Sequence, residues 1–124
     1  MMKPYEVLTV CGSEYHFKFT TANAVKLEAE LKTDILSGLD KLAEIGTLAK
    51  YYLYAGVAMN DRINKIDDVY QLFDDYITEG GSIEQLQELV IEILLTSGIL
   101  SEKVYAATKK IKEEQKQALQ KLLN

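Results

Sequence analysis

The distribution of proline most constrains what this chain can fold into. Pro4 is the only proline among the 124 residues, so the chain from residue 5 onwards lacks the residue that most strongly breaks a helix. Apolar residues make up 48% of the sequence, which is enough for one modest core in a chain of single-domain length. We therefore expect a mostly helical fold with one globular domain.

Residues 5–19 carry the pattern of a β-hairpin. From Glu14 to Phe19 the sequence alternates strictly between polar and aromatic side chains, as expected for a strand with one buried face. The predicted buried face consists of Tyr15, Phe17 and Phe19, and the predicted solvent face consists of Glu14, His16 and Lys18. Residues 5–10 are rich in strand formers, and Gly12 lies in the short connection. Because a lone hairpin is marginally stable in water, its aromatic face should pack on helices.

About five to six helices are predicted after the hairpin. Candidate N-terminal residues for these helices are Thr21, Thr33 or Asp34, Thr47, Asp67, Ser82 and Ser101. Glycines at Gly46, Gly80-Gly81 and Gly98 are expected to end the second, fourth and fifth helices. The helix from Thr47 to about Met59 is apolar nearly all round, which is typical of a central helix. Ser82 and Gln85 have the spacing of a capping box.

These patterns predict an α+β, mostly α fold, in which the hairpin packs on the helical bundle. We expect a single globular domain over residues 1–100 and a C-terminal helical extension over residues 101–124. The predicted inward stripe of the fourth helix consists of Val69, Leu72, Phe73, Tyr76 and Ile77. The start of the chain lacks the long apolar run of a signal peptide, and the most apolar stretch is too short to cross a bilayer. We expect a soluble protein that is not exported.

The C-terminal extension differs in charge from the rest of the chain. It holds six lysines and three glutamates, giving +3, so the remainder must carry −8 to reach the net charge of −5. Positions 104, 108, 111, 115, 118 and 122 follow a heptad rhythm, although their residues are too polar for a strong coiled coil. An acidic body disfavours nucleic acid. The extension is therefore either a solvated helix or a helix that binds an acidic partner.

Groups that support catalysis or metal binding are sparse. Cys11 and His16 are the only cysteine and histidine, and a turn thiol beside a surface imidazole is a more common arrangement than a nucleophile pair. Two residues also fall short of a zinc site. The acidic pairs Asp67-Asp68 and Asp74-Asp75 fall on one helical face, where a divalent cation or plain solvation would account for them. We expect no enzyme activity, cofactor or metal.

Tyrosines and the extension supply the candidate contact residues for a partner. Tyr51, Tyr52 and Tyr54 are about 100° and 200° apart on one helix and cannot all face the same way. Tyrosine is enriched at interfaces, but a core helix with tyrosines that reach from the core to water explains the pattern equally simply. The candidate partner-binding residues are Tyr51, Tyr52, Tyr54, Val104, Ile111, Leu119 and Leu122.

The order of these segments resembles a known family. The hairpin YEVLTVCGSEYHFKF runs directly into TTANAVKLEAEL, and the central helix TLAKYYLYAGVAMN follows. Then comes IDDVYQLFDDYITEGGSIEQLQELVIEILLTSGIL, in which DDYI, a glycine break and an L-x-x-L-V-x-E-I-L helix are the most distinctive part. From residue 5 to about residue 100, the chain is similar to the short tail assembly chaperones of long-tailed phages and prophages of Gram-positive bacteria. Residues 101–124 are longer and more basic than this family suggests.

The resemblance implies a function in phage tail assembly. Such chaperones coat the long, aggregation-prone tape-measure protein, recruit tail-tube subunits and leave before the tail is complete. They work in the cytoplasm of the bacterial host and are not part of the mature virion. The alternative hypothesis is a small non-enzymatic regulatory or adaptor protein that self-associates through its C-terminal helix.

The extension yields the first testable prediction. Truncation after Leu100 should leave a folded domain with weaker self-association. The truncation removes the basic segment, which we expect to bind the acidic body of a neighbouring copy rather than its own body or a client. High salt should reduce the difference, since exposed charges are then screened. Sedimentation of the full-length and truncated proteins at low and high salt measures both effects. A truncated protein that unfolds would show instead that the extension belongs to the core.

Overall fold

The computed structural model describes residues 4–101 and has an α+β architecture that is mostly helical. The described elements are β1 (Glu6–Val10), β2 (Ser13–Phe17), α1 (Thr21–Leu31), a 3₁₀ helix (Ser37–Lys41), α2 (Ile45–Gly56), α3 (Ile66–Thr78) and α4 (Ile83–Thr96). The predicted fold class is thus confirmed in outline, with four α-helices within the described range. The helix predicted over residues 101–124 lies outside the described residues, and the domain boundary at residue 100 stays a prediction.

The two strands form the predicted antiparallel hairpin. Val10 pairs with Ser13, so the turn consists of Cys11 and Gly12 alone, with φ values of 52° and 77°. Positive φ at both central residues is the turn geometry that matches the twist of the strands, and glycine adopts it without steric cost. Phe17 is fully buried and Phe19 is nearly so, as predicted, whereas Tyr15 is only partly buried against the core. The hairpin therefore has the predicted face against the helices.

The solvent face of the hairpin differs from the prediction at His16. Its ring stacks on Tyr5 with a centroid separation of 4.1 Å, and the side chain is half-buried. The sequence alternation places His16 on the outer face, but residues before the strand then fold over it. Alternation fixes the face on which a side chain lies, but not what covers that face.

Helix α2 is the central helix that the sequence predicts. It packs against α1, α3, α4 and β2, and Leu48, Ala49 and Ala55 are fully buried on it. Its Tyr52 ring lies edge-on between Phe17 of the hairpin and Phe73 of α3, at centroid distances of 5.0 and 5.1 Å. Such edge-to-face contacts are favourable beyond the area they bury.

The helix predicted from Thr33 or Asp34 to Ile45 is wrong. The chain there forms only the 3₁₀ helix, and Gly46 lies inside α2 instead of ending a helix. The Asp34 carboxylate accepts a hydrogen bond from the Ser37 N–H, which favours a turn over an α-helix. A Cβ atom at Gly38 would lie 2.5 Å from the Tyr51 hydroxyl, so this segment approaches α2 too closely for a larger residue.

Of the predicted helix N-termini, Ser82 is confirmed as an N-cap, and Asp67 and Asp68 lie in the first turn of α3. Helix α2 begins at Ile45, with Glu44 as its N-cap, and not at the predicted Thr47. Ser82 and Gln85 form the reciprocal capping box at α4, with hydrogen bonds of 3.2 and 3.0 Å. At α1 the cap is Thr20 rather than the predicted Thr21, and its hydroxyl accepts from the Asn23 N–H. At α3 the Asp68 carboxylate accepts hydrogen bonds from the N–H groups of Asn64 and Lys65, and these bonds lower the pKa of Asp68.

Replacement of Phe17 by alanine tests the packing of the hairpin. Phe17 is 0% exposed and contacts Tyr52 edge-on, so the substitution should lower the free energy of unfolding by about 3–5 kcal/mol. Lys18→Ala is the matched control, because it keeps the backbone hydrogen bond from Lys18 to Ala55 and should cost little. Urea unfolding of both variants measures the difference. Equally mild effects would contradict the packing described here.

Candidate interaction surface

Two of the tyrosines predicted to bind a partner lie in the core. Tyr51 donates a hydrogen bond of 2.6 Å to the Ile35 carbonyl, and Tyr52 donates one of 2.7 Å to the Leu86 carbonyl. Both rings are almost fully buried, and desolvation raises the pKa of each hydroxyl above its ordinary value. These side chains are therefore internal. The alternative interpretation, a core helix whose tyrosine hydroxyls are bonded, describes both of them.

The third tyrosine lies near the surface. The Tyr54 hydroxyl donates a hydrogen bond of 2.9 Å to the Glu30 carboxylate on α1, and the Lys50 Nζ lies 4.0 Å from the other oxygen of that carboxylate. Burial and this hydrogen bond together raise the pKa of Tyr54. A partner role for Tyr54 stays a prediction. The remaining candidates lie outside the described residues, namely Val104, Ile111, Leu119 and Leu122.

The outward side of α3 carries the most concentrated exposed apolar surface within residues 4–101. Tyr70 and Ile77 are each 45% exposed and lie seven residues apart, about 10 Å along one face of the helix. Asp67 and Asp74 alternate with them at steps of three and four residues, and both are exposed. We call Asp67, Tyr70, Asp74 and Ile77 the α3 outer face.

Ile77 corrects the predicted inward stripe of this helix. Val69, Leu72 and Phe73 are buried as predicted, whereas Ile77 is exposed. At 100° per residue, Ile77 lies within about 20° of Tyr70 and well away from Leu72. The sequence pattern places Ile77 on the inward stripe because it lies four residues after Phe73, although a helix of this length has room for apolar residues on two faces.

Charge is segregated around the α3 outer face. From residue 66 to residue 101 the sequence contains eight carboxylates and no lysine or arginine. The Glu30–Lys50 ion pair and the Glu14–His16 hydrogen bond lie outside α3 and α4. Lys65 lies near Asp68 at the start of α3, but α3 and α4 themselves contain no lysine or arginine, so their carboxylates produce a negative potential over this part of the surface. The α3 outer face therefore combines two apolar side chains with a negative field.

The other exposed large apolar residues of the described range are one to an element or segment. Val7, Val25, Leu36 and Ile45 lie on different elements, as β1, α1, the segment before the 3₁₀ helix and α2 each carry one. Single exposed apolar residues are normal on a protein surface and need no functional explanation. The pair on α3 is distinguished by its shared face and its acidic flanks.

A cleft of about 420 Å³ beside β2 is a weaker candidate. It is lined by Ser13, Glu14, Tyr15, His16, Met59, Asn60, Asp61 and Arg62. Asn60 bonds both the N–H and the carbonyl of His16, at 2.9 and 2.6 Å, and Arg62 bonds the Ser13 hydroxyl at 2.6 Å. These groups satisfy the outer edge of β2 and hold the loop against it. Polar groups that already have internal partners are poor candidates for ligand recognition.

Cys11 lies in the hairpin turn, as the sequence predicts, and its side chain is exposed. Its N–H donates to the Glu79 carboxylate, which joins the hairpin turn to the end of α3. Hydrogen bonding with Glu79 raises the pKa of the exposed Cys11 thiol, and burial and nearby carboxylates act in the same direction. A raised pKa reduces the thiolate fraction, whereas an activated cysteine nucleophile has a lowered one. The environment of Cys11 therefore disfavours a nucleophilic role.

Residues 4–101 hold neither a metal-binding cluster nor a membrane-spanning helix. Among residues 4–101, no three histidine, cysteine, aspartate or glutamate side chains are grouped so that they could hold a metal ion. Within the same range, no helix has both the length and the apolar character required to cross a membrane.

Paired substitutions test the internal role of the tyrosines. Tyr52→Phe removes a buried hydrogen bond to the Leu86 carbonyl, which keeps its partner within α4, and should cost about 0.5–1.5 kcal/mol of unfolding free energy. Tyr54→Phe removes a hydrogen bond in an exposed setting and should change stability by less than about 0.5 kcal/mol. Thermal and urea unfolding compare the variants. A larger loss for Tyr54→Phe would overturn this assignment.

Comparisons with known proteins add no family to this description. No protein-family model, no curated protein and no solved structure matches the chain. Function must therefore be argued from the geometry of residues 4–101 and from the order of the elements.

Proposed function

We propose that the chain is a tail assembly chaperone of a long-tailed phage or prophage. In this role it binds the tape-measure protein in the cytoplasm of the bacterial host, recruits tail-tube subunits and is absent from the mature virion. The order of elements supports the proposal, because a hairpin leads into a central apolar helix and then into the α3–glycine–α4 unit of the resemblance. That order alone would suit other small binding proteins.

The α3 outer face is the observation that carries the proposal. A tape-measure protein is long, helical and prone to aggregate, so its chaperone needs a surface for an apolar helical stripe. Tyr70 and Ile77 are spaced by two helical turns, which matches the spacing of apolar residues along an amphipathic client helix. Asp67 and Asp74 then favour client segments with lysine or arginine beside the apolar stripe. The acidic surface also keeps the chaperone dispersed while it holds such a client.

The second candidate function is a non-enzymatic regulatory or adaptor module that self-associates. The opposite charges of residues 66–101 and 102–124 favour it, because they provide attraction between copies without any client. The two functions differ in one respect that can be measured: only the chaperone should bind a tape-measure protein and keep it in solution.

Co-expression with the tape-measure protein encoded in the same genome tests the proposal. The chain should copurify with the tape-measure protein, keep it in the soluble fraction and allow tail-tube subunits to join the complex. Failure of the unmodified chain to bind the tape-measure protein would contradict the chaperone function and favour the adaptor.

Substitutions on α3 test where the client binds. Tyr70→Asp with Ile77→Asp should abolish copurification, because two charges replace the apolar contacts. Val25→Asp with Ile45→Asp is the matched control, since these side chains are 59% and 54% exposed on other elements. Circular dichroism should show that both double variants are folded. Equal loss of binding in the two variants would show that the α3 outer face is not the client site.

A further inference from the structure

Residues 102–124 and the α3 outer face are complementary in charge. The segment has six lysines and three glutamates, whereas residues 66–101 have eight carboxylates and no cationic side chain. Opposite net charges draw two surfaces together and select their relative position, most strongly at low ionic strength. Within residues 4–101, no lysine or arginine forms an ion pair with Asp67 or Asp74, so these carboxylates are available to the lysines of the segment.

The two regions also share a spacing of seven residues. Val104 and Ile111 are seven apart and each directly follows a lysine, Lys103 or Lys110. On α3, Tyr70 and Ile77 are seven apart and each follows an aspartate by three residues. Both regions therefore repeat one charged and one apolar residue at the same seven-residue interval, the interval that brings residues to one face of a helix.

We infer that the α3 outer face binds residues 102–124 of a second copy of this chain. The apolar side chains of that segment cover Tyr70 and Ile77, and its lysines meet Asp67 and Asp74. Burial of two exposed apolar side chains contributes favourable free energy of binding, and the complementary charges make the binding specific for this segment.

The place where the chain leaves the described domain favours a second copy over the same chain. Thr96 donates to the Glu6 carboxylate, and Ser97 accepts from the Phe19 N–H, so α4 ends at the open end of the hairpin. The C-terminal end of α3 instead meets Cys11 at the turn. The two ends of a five-residue strand are roughly 15 Å apart. In the same chain Val104 is only three residues beyond Ser101, a reach of about 10 Å, so it falls short of the C-terminal end of α3, whereas Val104 of a neighbouring copy has no such tether.

This contact would regulate the client site, a consequence that rests on the proposed function. The segment of a second copy and the tape-measure protein would compete for the same two apolar side chains. Free chaperone would then keep its client surface covered, and client binding would release the segment.

Charge reversal in the full-length chain tests the inference without any client. The first variant is Asp67→Lys with Asp74→Lys on the face, and the second is Lys103→Glu with Lys110→Glu on the segment. Sedimentation velocity at low salt should show association of the unmodified chain and about tenfold weaker association of each variant, the effect of roughly 1.4 kcal/mol. All four substitutions in one chain should restore association, because the attraction is then re-established with reversed signs.

An equimolar mixture of the two variants identifies the contact as one between chains. The mixture should associate more strongly than either variant alone, since the reversed face of one attracts the reversed segment of the other. Asp40→Lys with Asp61→Lys is the control with the same change in net charge at exposed sites outside α3 and α4, and it should associate like the unmodified chain.

Three results would overturn the inference. They are a strictly monomeric unmodified chain at low salt and high concentration, equal weakening by the Asp40/Asp61 control, and a mixture no better than its components. Each of them leaves the copurification experiment with the tape-measure protein unaffected, and a failed copurification leaves the sedimentation results unaffected. The two proposals therefore fail separately.

Discussion

The burial of α2, with its tyrosine hydroxyls bonded to backbone carbonyls, is the interaction on which the rest of the structure depends. Tyr51 holds the segment before the 3₁₀ helix through the Ile35 carbonyl, and Tyr52 holds the first turn of α4 through the Leu86 carbonyl. Each tyrosine thus joins a separate part of the chain to the central helix. Buried hydroxyls that find such acceptors make the packing specific as well as favourable.

Because the core is organised around α2, only one side of α3 packs inward and its other side stays exposed. Val69, Leu72 and Phe73 provide its inward contacts, and the capped N-terminus and the Glu79–Cys11 contact hold its ends. The outer residues are therefore presented on a rigid helix, which favours recognition of a partner over general adhesion. The carboxylates around them maintain a negative field that resists aggregation of the exposed apolar pair.

The sequence predicts those parts of the fold that depend on residues close together along the chain. The alternation ending at Phe19 and the Ser82 capping box are short-range signals, and both predictions are confirmed. The sequence does not predict the 3₁₀ helix, because apolar spacing over residues 35–45 hides both the Asp34–Ser37 turn and the close approach of Gly38 to Tyr51. The prediction of the partner surface is also wrong in part, because Tyr51 and Tyr52 on α2 are internal and Ile77, assigned to the inward stripe, is exposed on the same face as Tyr70. Periodicity identifies apolar residues, whereas burial depends on the position of neighbouring elements.

Cross-linking of an isotopically mixed sample tests the central claim, that the α3 outer face is a protein-binding surface occupied by a second copy. Equal amounts of isotopically light and heavy full-length chain are mixed at low salt and treated with a carbodiimide, which joins lysine amines to carboxylates without a spacer. The account predicts light–heavy cross-linked peptides between Lys103 or Lys110 and Asp67 or Asp74. Links confined to single chains, or links that avoid α3, would contradict it.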